Sequence, residues 1–317
     1  LSAGPDRDRI KAVREQRDEL IAFLTGQGIT TLPSEGSFVF ARFVDAEFVW
    51  RGLGALGISV RRFAGRSDLE GWLRITCPGD QPSFDRLTRG LETLLSPEAL
   101  LFDLDGVVAD VSGSYRRAMI ETAADWGVEL TSGDVARAKT SGDANNDWEL
   151  TRRLLEERGV EVGLDEVRER FEALYQGSDA APGLRSFESL RIDRSALERL
   201  AERLPLGVVT GRPRSDAVRF LEEQGVADLF LTLVCMEDAP SKPDPEPVTL
   251  AMERLGVSTA WMIGDTPDDL RAARVAGVLP IGVVAAGDDG AMMTVALEAA
   301  GAAGVLERPN EIEEILP

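Results

Sequence analysis

The sequence predicts an α/β protein: a core built on a parallel sheet with an inserted set of helices, preceded by a small α+β unit. Three observations carry this. From Ala99 onward, short apolar runs alternate with amphipathic stretches, the pattern of strands covered on both faces. About a hundred residues separate the first two of those strands, too many for one crossover connection. The charge also changes near Ser96-Pro97: residues 1–96 hold 13 Lys+Arg and 13 Asp+Glu, so the whole net charge of −20 falls on 97–317.

In the first part, Asp6 to Leu24 has helical apolar spacing (Ile10, Val13, Leu20, Ile21, Leu24), and Gly26 and Gly28 stop it. Ile29–Leu32 and Ser37–Phe43 read as strands around the turn Pro33-Ser-Glu-Gly36. Ala46–Ala55 reads as a helix, Ile58–Arg61 and Gly71–Thr76 as strands, and Pro82–Leu95 as a closing helix. In the second part, the strands are Ala99–Phe102, Leu206–Val209, Phe230–Val234, Trp261–Ile263 and Leu279–Val284. Ser114–Trp126, Asp147–Arg158 and Leu164–Tyr175 read as helices of the insertion, and Asp193–Arg203 as a core helix.

Composition narrows the chemistry. The 317 residues include no histidine, which removes Ser-His-Asp and Cys-His catalysis and His-ligated zinc. Cys77 and Cys235 stand far apart, fitting a reducing, cytoplasmic setting without a disulfide framework. No apolar run approaches membrane-spanning length. The acidic second part argues against nucleic acid and anionic membranes as partners. Lysine occurs only as Lys11, Lys139 and Lys242.

Four polar stretches sit at the carboxyl ends of predicted strands: Asp103-Leu-Asp-Gly106, Thr210-Gly-Arg-Pro213, Ser241-Lys-Pro243 and Gly264-Asp-Thr-Pro-Asp-Asp269. Ligands bind beyond such ends in open α/β sheets, so the four can converge on one site. Asp103 and Asp105 share a face, and Gly106 allows a sharp turn after them. The set suits phosphoryl transfer through a phospho-aspartate. Asp103 is the candidate nucleophile and Asp105 the candidate general acid and base. Thr210, Gly211 and Lys242 would hold phosphoryl oxygens, the first two through a hydroxyl and backbone N–H groups. Asp103, the Asp105 carbonyl and Asp265 form an all-oxygen set that suits Mg²⁺. Asp269 is expected to orient a metal-bound water, and Asp268 to start a helix rather than bind metal.

In order and spacing these motifs resemble the haloacid dehalogenase-like phosphatases over about residues 99–317. The resemblance implies a Rossmann-like core (97–111 and 191–317) with a helical cap (112–190) that closes over the site and selects the substrate. An acid two residues past the nucleophile, here Asp105, marks the phosphatases, since halide departure needs no proton. Within the cap, Lys139 to Trp148 reads as a polar loop, with Lys139, Asn145 and Asn146 as substrate-facing candidates, and Asn146 or Asp147 as an alternative helix cap. Arg212 and Arg214 are further candidates for holding phosphate or substrate.

The first part resembles the C-terminal small domain of histidinol-phosphate aminotransferases, through Leu32-Pro-Ser-Glu-Gly-Ser-Phe-Val39, Gly57-Ile-Ser-Val-Arg-Arg62 and Gly71-Trp-Leu-Arg-Ile-Thr76. That resemblance puts Arg74 on a substrate carboxylate and Arg61 near a substrate phosphate. The family's Schiff-base lysine and large domain have no counterpart here, so the segment is expected to be a truncated remnant without transaminase activity. It could also mediate self-association.

The expected activity is Mg²⁺-dependent hydrolysis of a small phosphorylated metabolite, with histidinol phosphate as the leading substrate. The small domain supplies that guess, and the cluster Asp143, Asn145, Asn146 and Asp147 would suit an amine. A phosphomutase, a phosphonatase using Lys139, an aminotransferase fragment and a scaffold remain as alternatives.

Overall fold

The computed structural model describes residues 7–142, 145–178 and 180–317. The chain divides into two units, 1–97 and 98–316.

In the first unit, strands Thr30–Leu32, Phe38–Arg42, Trp72–Thr76 and Arg61–Arg62 lie in that order in one antiparallel sheet. Alternate residues Val39, Ala41, Leu73 and Ile75 are buried, and they form a core with Leu20, Leu24, Leu53, Phe84 and Leu91 of the helices Arg7–Gly26, Ala46–Ala55 and Gln81–Leu95. The strand expected over Ile58–Arg61 is shorter and later. Gly57 takes a φ of +74° and the Ile58 N–H donates to the Leu53 carbonyl at 2.7 Å, so residue 58 closes the preceding helix and cannot join the ladder.

The second unit carries a parallel six-stranded sheet. Its order is Phe230–Val234, Leu206–Val209, Ala99–Phe102, Ala260–Gly264, Leu279–Val283 and Gly304–Leu306. The first strand in sequence is thus central, and the chain runs outward from it in both directions, which opens a crevice beyond its carboxyl end. All four residues of Ala99–Phe102 and all five of Ala260–Gly264 are buried, as continuous apolar runs require between two helical layers. The chain leaves the core through Ala109–Asp110 and returns through Ser189–Leu190, and these two short strands pair antiparallel.

Between them, among the described residues, lie the α-helices Tyr115–Asp125, Ser132–Ser141, Asp147–Glu157 and Leu164–Gln176. Tyr115, Phe171 and Tyr175 pack their rings at the centre of this cap, with centroids 4.5 to 6.4 Å apart. The second helix corrects the sequence reading, because Lys139 is helical rather than part of a polar loop. Thr131 and Asp134 form a capping box that starts this helix. Its apolar content is low, so periodicity alone did not mark it.

Candidate active site

Asp103 follows the central strand directly, and its N–H donates to the Ile263 carbonyl (2.9 Å), extending the ladder by one step. Lys242 is buried below it. Its Nζ donates to Asp103 Oδ1 at 2.6 Å and to the Val209 carbonyl at 3.0 Å, and pairs with Asp269 Oδ1 at 2.5 Å. One ammonium thus ties the ends of two adjacent strands to the start of the helix Pro267–Val275. Thr210 is buried, and its N–H donates to the Val234 carbonyl (2.9 Å).

Asp269 belongs to the first turn of the helix Pro267–Val275. Its Oδ2 accepts from the N–H (3.0 Å) and hydroxyl (2.6 Å) of Thr266, closing a capping box. With Oδ1 on Lys242, both oxygens are engaged, so Asp269 fixes the lysine and the helix start. Asp268 also lies in that turn, as expected, and accepts from Arg271 (3.1 Å) and Asn145 (3.3 Å).

Oxygens of Asp103, Asp265 and Asp269 lie within 4.8 Å of one another, and all three residues are buried. Among the described residues, none hydrogen-bonds to or pairs with Asp265. Burial pushes the Asp103 carboxyl up to about 7, against Lys242 and with Asp269 and Asp105 adding to the rise. Burial and the neighbouring Asp103 push Asp265 well above the ordinary carboxylate range. Three crowded carboxyls with one ammonium between them form a site short of positive charge. Mg²⁺, a hard cation that takes oxygen ligands, fits that donor set.

Asp105 accepts from the Nε of Arg212 at 2.6 Å, not from a cap residue. Arg212 itself is buried and grips Glu188, so it does not face a substrate. Arg214 pairs with Asp238 at the edge of the site.

Of the three expected cap residues, Asn145 and Lys139 take roles the sequence did not indicate, and Asn146 takes the alternative one, a helix cap. Asn145 donates to the Lys242 carbonyl (3.1 Å), and its own carbonyl closes against Gly211, where a Cβ would lie 2.4 Å away. Asn146 caps the helix Asp147–Glu157, its side-chain oxygen accepting from Trp148 and Glu149. Lys139 is buried and pairs with Asp147 at 3.5 Å. Burial works against its charge, but Asp147, Asp265 and Asp105 outweigh that and hold its pKa above the ordinary lysine value. Asp143 lies outside the described residues.

Two site residues carried no sequence signal. Arg116, in the first cap helix, forms a buried pair with Asp288 of the core and, like Lys139, bears on Asp265 through its charge. Glu188 stands just before the returning hinge strand, in no motif. In the first unit, Arg61 is exposed directly opposite Arg74, whose guanidinium lies 5.5 Å from the Phe38 ring.

Residues 100–283 match the family described as haloacid dehalogenase-like hydrolase. An imidazoleglycerol-phosphate dehydratase from Phytophthora nicotianae is 47% identical over 195 residues, 59% of this chain and 43% of that protein. The chain therefore spans less than half the length of that relative. Phosphoglycolate phosphatase from Escherichia coli (strain K12) is 28% identical over 219 residues, 68% of this chain and 79% of that protein. Among solved structures, a haloacid dehalogenase-like family hydrolase from Streptococcus pneumoniae superposes with a TM-score of 0.55 at 19% identity, covering 70% of this chain and 99% of that one, which speaks to the fold. With the family match covering more than half of its length, this chain belongs to the haloacid dehalogenase-like hydrolases.

Proposed function

We propose that this hydrolase, a phosphatase by its family and its relatives, cleaves a small phosphomonoester through a phospho-aspartate on Asp103. The observation that carries the reading is Lys242, whose buried ammonium joins Asp103 to Asp269 beneath the crevice. An Asp103 oxygen attacks phosphorus, the ester P–O bond breaks, and Asp105 gives its proton to the departing alkoxide. Water then attacks the phospho-aspartate, Asp105 takes back a proton, and phosphate leaves. Thr210 and the Gly211 N–H hold phosphoryl oxygens while Lys242 offsets their charge. Mg²⁺, held by Asp103, Asp265 and the Asp105 carbonyl, supplies the remaining positive charge when bound.

Histidinol phosphate is the substrate we assign. The first unit supports it by association alone, since its motifs resemble a domain of enzymes that handle histidinol phosphate. The Phytophthora relative, whose name refers to an imidazole-bearing phosphate ester, supports it too. The cap favours a second reading, phosphoglycolate. Arg116 is committed to Asp288, whereas Lys139, held only at 3.5 Å from Asp147, is a buried cation near the catalytic carboxylates that suits a substrate with a second anionic group.

Phosphate release with Mg²⁺ should be compared for histidinol phosphate, phosphoglycolate and small sugar phosphates. The reading expects free phosphate from at least one of them and none with Asp103→Asn, whose amide cannot attack phosphorus. Turnover by that variant, or isomerised sugar phosphate as the only product, overturns it. Histidinol phosphate is retained as substrate only if its kcat/KM leads by at least about tenfold, or roughly 1.4 kcal/mol.

A further inference from the structure

Arg212 links the cap hinge to the catalytic carboxylate. It follows Thr210-Gly211 at the end of Leu206–Val209, yet its side chain turns inward and is fully buried. Its Nε donates to Asp105 Oδ1 at 2.6 Å, and Nη2 approaches the same oxygen at 2.5 Å. Nη1 and Nη2 donate to the two Glu188 oxygens at 3.0 and 3.2 Å. The guanidinium lies 4.7 Å from the Tyr115 ring and 5.3 Å from the Phe220 ring. Glu188 accepts in turn from the Ser114 hydroxyl (2.7 Å) and the Tyr175 hydroxyl (3.2 Å).

Phe220 belongs to the core helix Arg214–Glu223, and the other partners beyond Asp105 belong to the cap. Ser114 and Tyr115 open the first cap helix, Tyr175 closes the last, and Glu188 leads into the returning hinge strand. A planar fork between two carboxylates and two rings has little freedom to turn. Its contacts with Asp105 all go to one oxygen, Oδ1. The other oxygen remains for the leaving group.

We infer that Arg212 is a positioning residue that holds Asp105 for proton transfer, and that Glu188 passes the placement of the cap to it. The inference rests on Asp105 being the general acid. It concerns proton delivery alone, so it separates from phosphate binding by choice of leaving group. An alkyl phosphate needs a proton on the departing oxygen, whereas 4-nitrophenolate leaves without one.

The test compares kcat/KM for 4-nitrophenyl phosphate and for the best alkyl phosphate of the panel, both with Mg²⁺. That ratio ends at departure of the leaving group, so it leaves out the later attack of water, in which Asp105 serves both esters alike. Arg212→Lys keeps the buried charge and loses the fork. It should lower kcat/KM on the alkyl ester by about 10- to 100-fold, within the range set by general acid catalysis. On the nitrophenyl ester the loss in kcat/KM should stay under about threefold. Glu188→Gln, which keeps the shape but replaces one of the two acceptor oxygens with an NH2 donor facing the guanidinium, does not touch Asp105 and should show the same bias, at about fivefold or more. Equal losses of kcat/KM on the two esters, the signature of general disruption, overturn the inference, and so does wild-type kcat/KM in both variants. Asp105→Asn marks the underlying reading: if it hydrolyses both esters at the wild-type rate, Asp105 is not the acid and the inference falls with it. A leaving-group bias in Asp105→Asn but not in Arg212→Lys or Glu188→Gln rejects the inference alone.

Discussion

A Cβ on Gly106 would lie 2.2 Å from Oδ2 of Asp265. Gly106 also has a φ of +80°, which L side chains avoid. The glycine after Asp105 therefore does more than allow a turn: it makes room for a carboxylate that arrives from another strand, 159 residues later in the sequence.

Gly106→Ala should accordingly act at the metal site. The backbone strain costs about 1 kcal/mol, a modest loss of stability. Displacement of Asp265 should cost far more in function, since a shift of about 1 Å in a catalytic group can cost on the order of 100-fold in rate. Titration calorimetry with Mg²⁺ and kcat with saturating metal check this. A variant that binds Mg²⁺ as wild type does, with unchanged kcat, would show that Asp265 is not a ligand.

The metal-free protein should lose stability as pH rises. Asp103 is raised to about 7 and Asp265 well above its ordinary value, both first by burial, so the folded state holds protons that the unfolded chain releases near pH 4. Their contribution is fully present below about pH 4 and falls as pH climbs, that of Asp103 being lost as pH rises through about 7. Mg²⁺ binds the ionised carboxylates and offsets the loss. Thermal melts in EDTA should therefore show Tm falling between pH 5 and pH 7.5, with a Mg²⁺-induced rise that is small at pH 5 and about 5 °C or more at pH 7.5. A Mg²⁺ effect that is equal at both pH values would contradict the placement of these carboxyls.

Much of this site was legible in the sequence because its parts sit at strand ends. Ala99–Phe102 and Leu206–Val209 are continuous apolar runs that end on Asp103 and Thr210, and period and position suffice to bring such ends together. What was not legible depends on contacts between distant segments. Arg212 resembles a phosphate ligand by its place after Thr210-Gly211, and only the cap residues Tyr115 and Glu188 explain why it turns inward. Asp269 has the spacing of a residue that orients water, but Thr266 and Lys242 take both its oxygens. Lys139 reads as part of a polar loop because its helix is nearly all polar. Its burial comes from the packing of that helix in the cap, which no local pattern records.

Lys139 offers the sharpest choice between the two substrates. Its ammonium is buried, pairs with Asp147 and bears on Asp265 and Asp105. For phosphoglycolate, a cation there would meet the substrate carboxylate in a poorly solvated place, where a charged contact is worth about 1.5–3 kcal/mol. Lys139→Met should then lower kcat/KM for phosphoglycolate by at least about tenfold. For histidinol phosphate the sign reverses, because removing the lysine frees Asp147, and the substrate's ammonium gains an acid where it had a cation. Its kcat/KM should hold steady or rise. The single variant leaves Asp147 buried without its partner, so Lys139→Met/Asp147→Asn serves as the companion that avoids an uncompensated charge. In the double variant the phosphoglycolate loss should persist and any gain on histidinol phosphate should vanish. Steady-state kinetics of both variants on both esters check this, and a uniform loss across the two substrates would mean that Lys139 is structural and does not select between them.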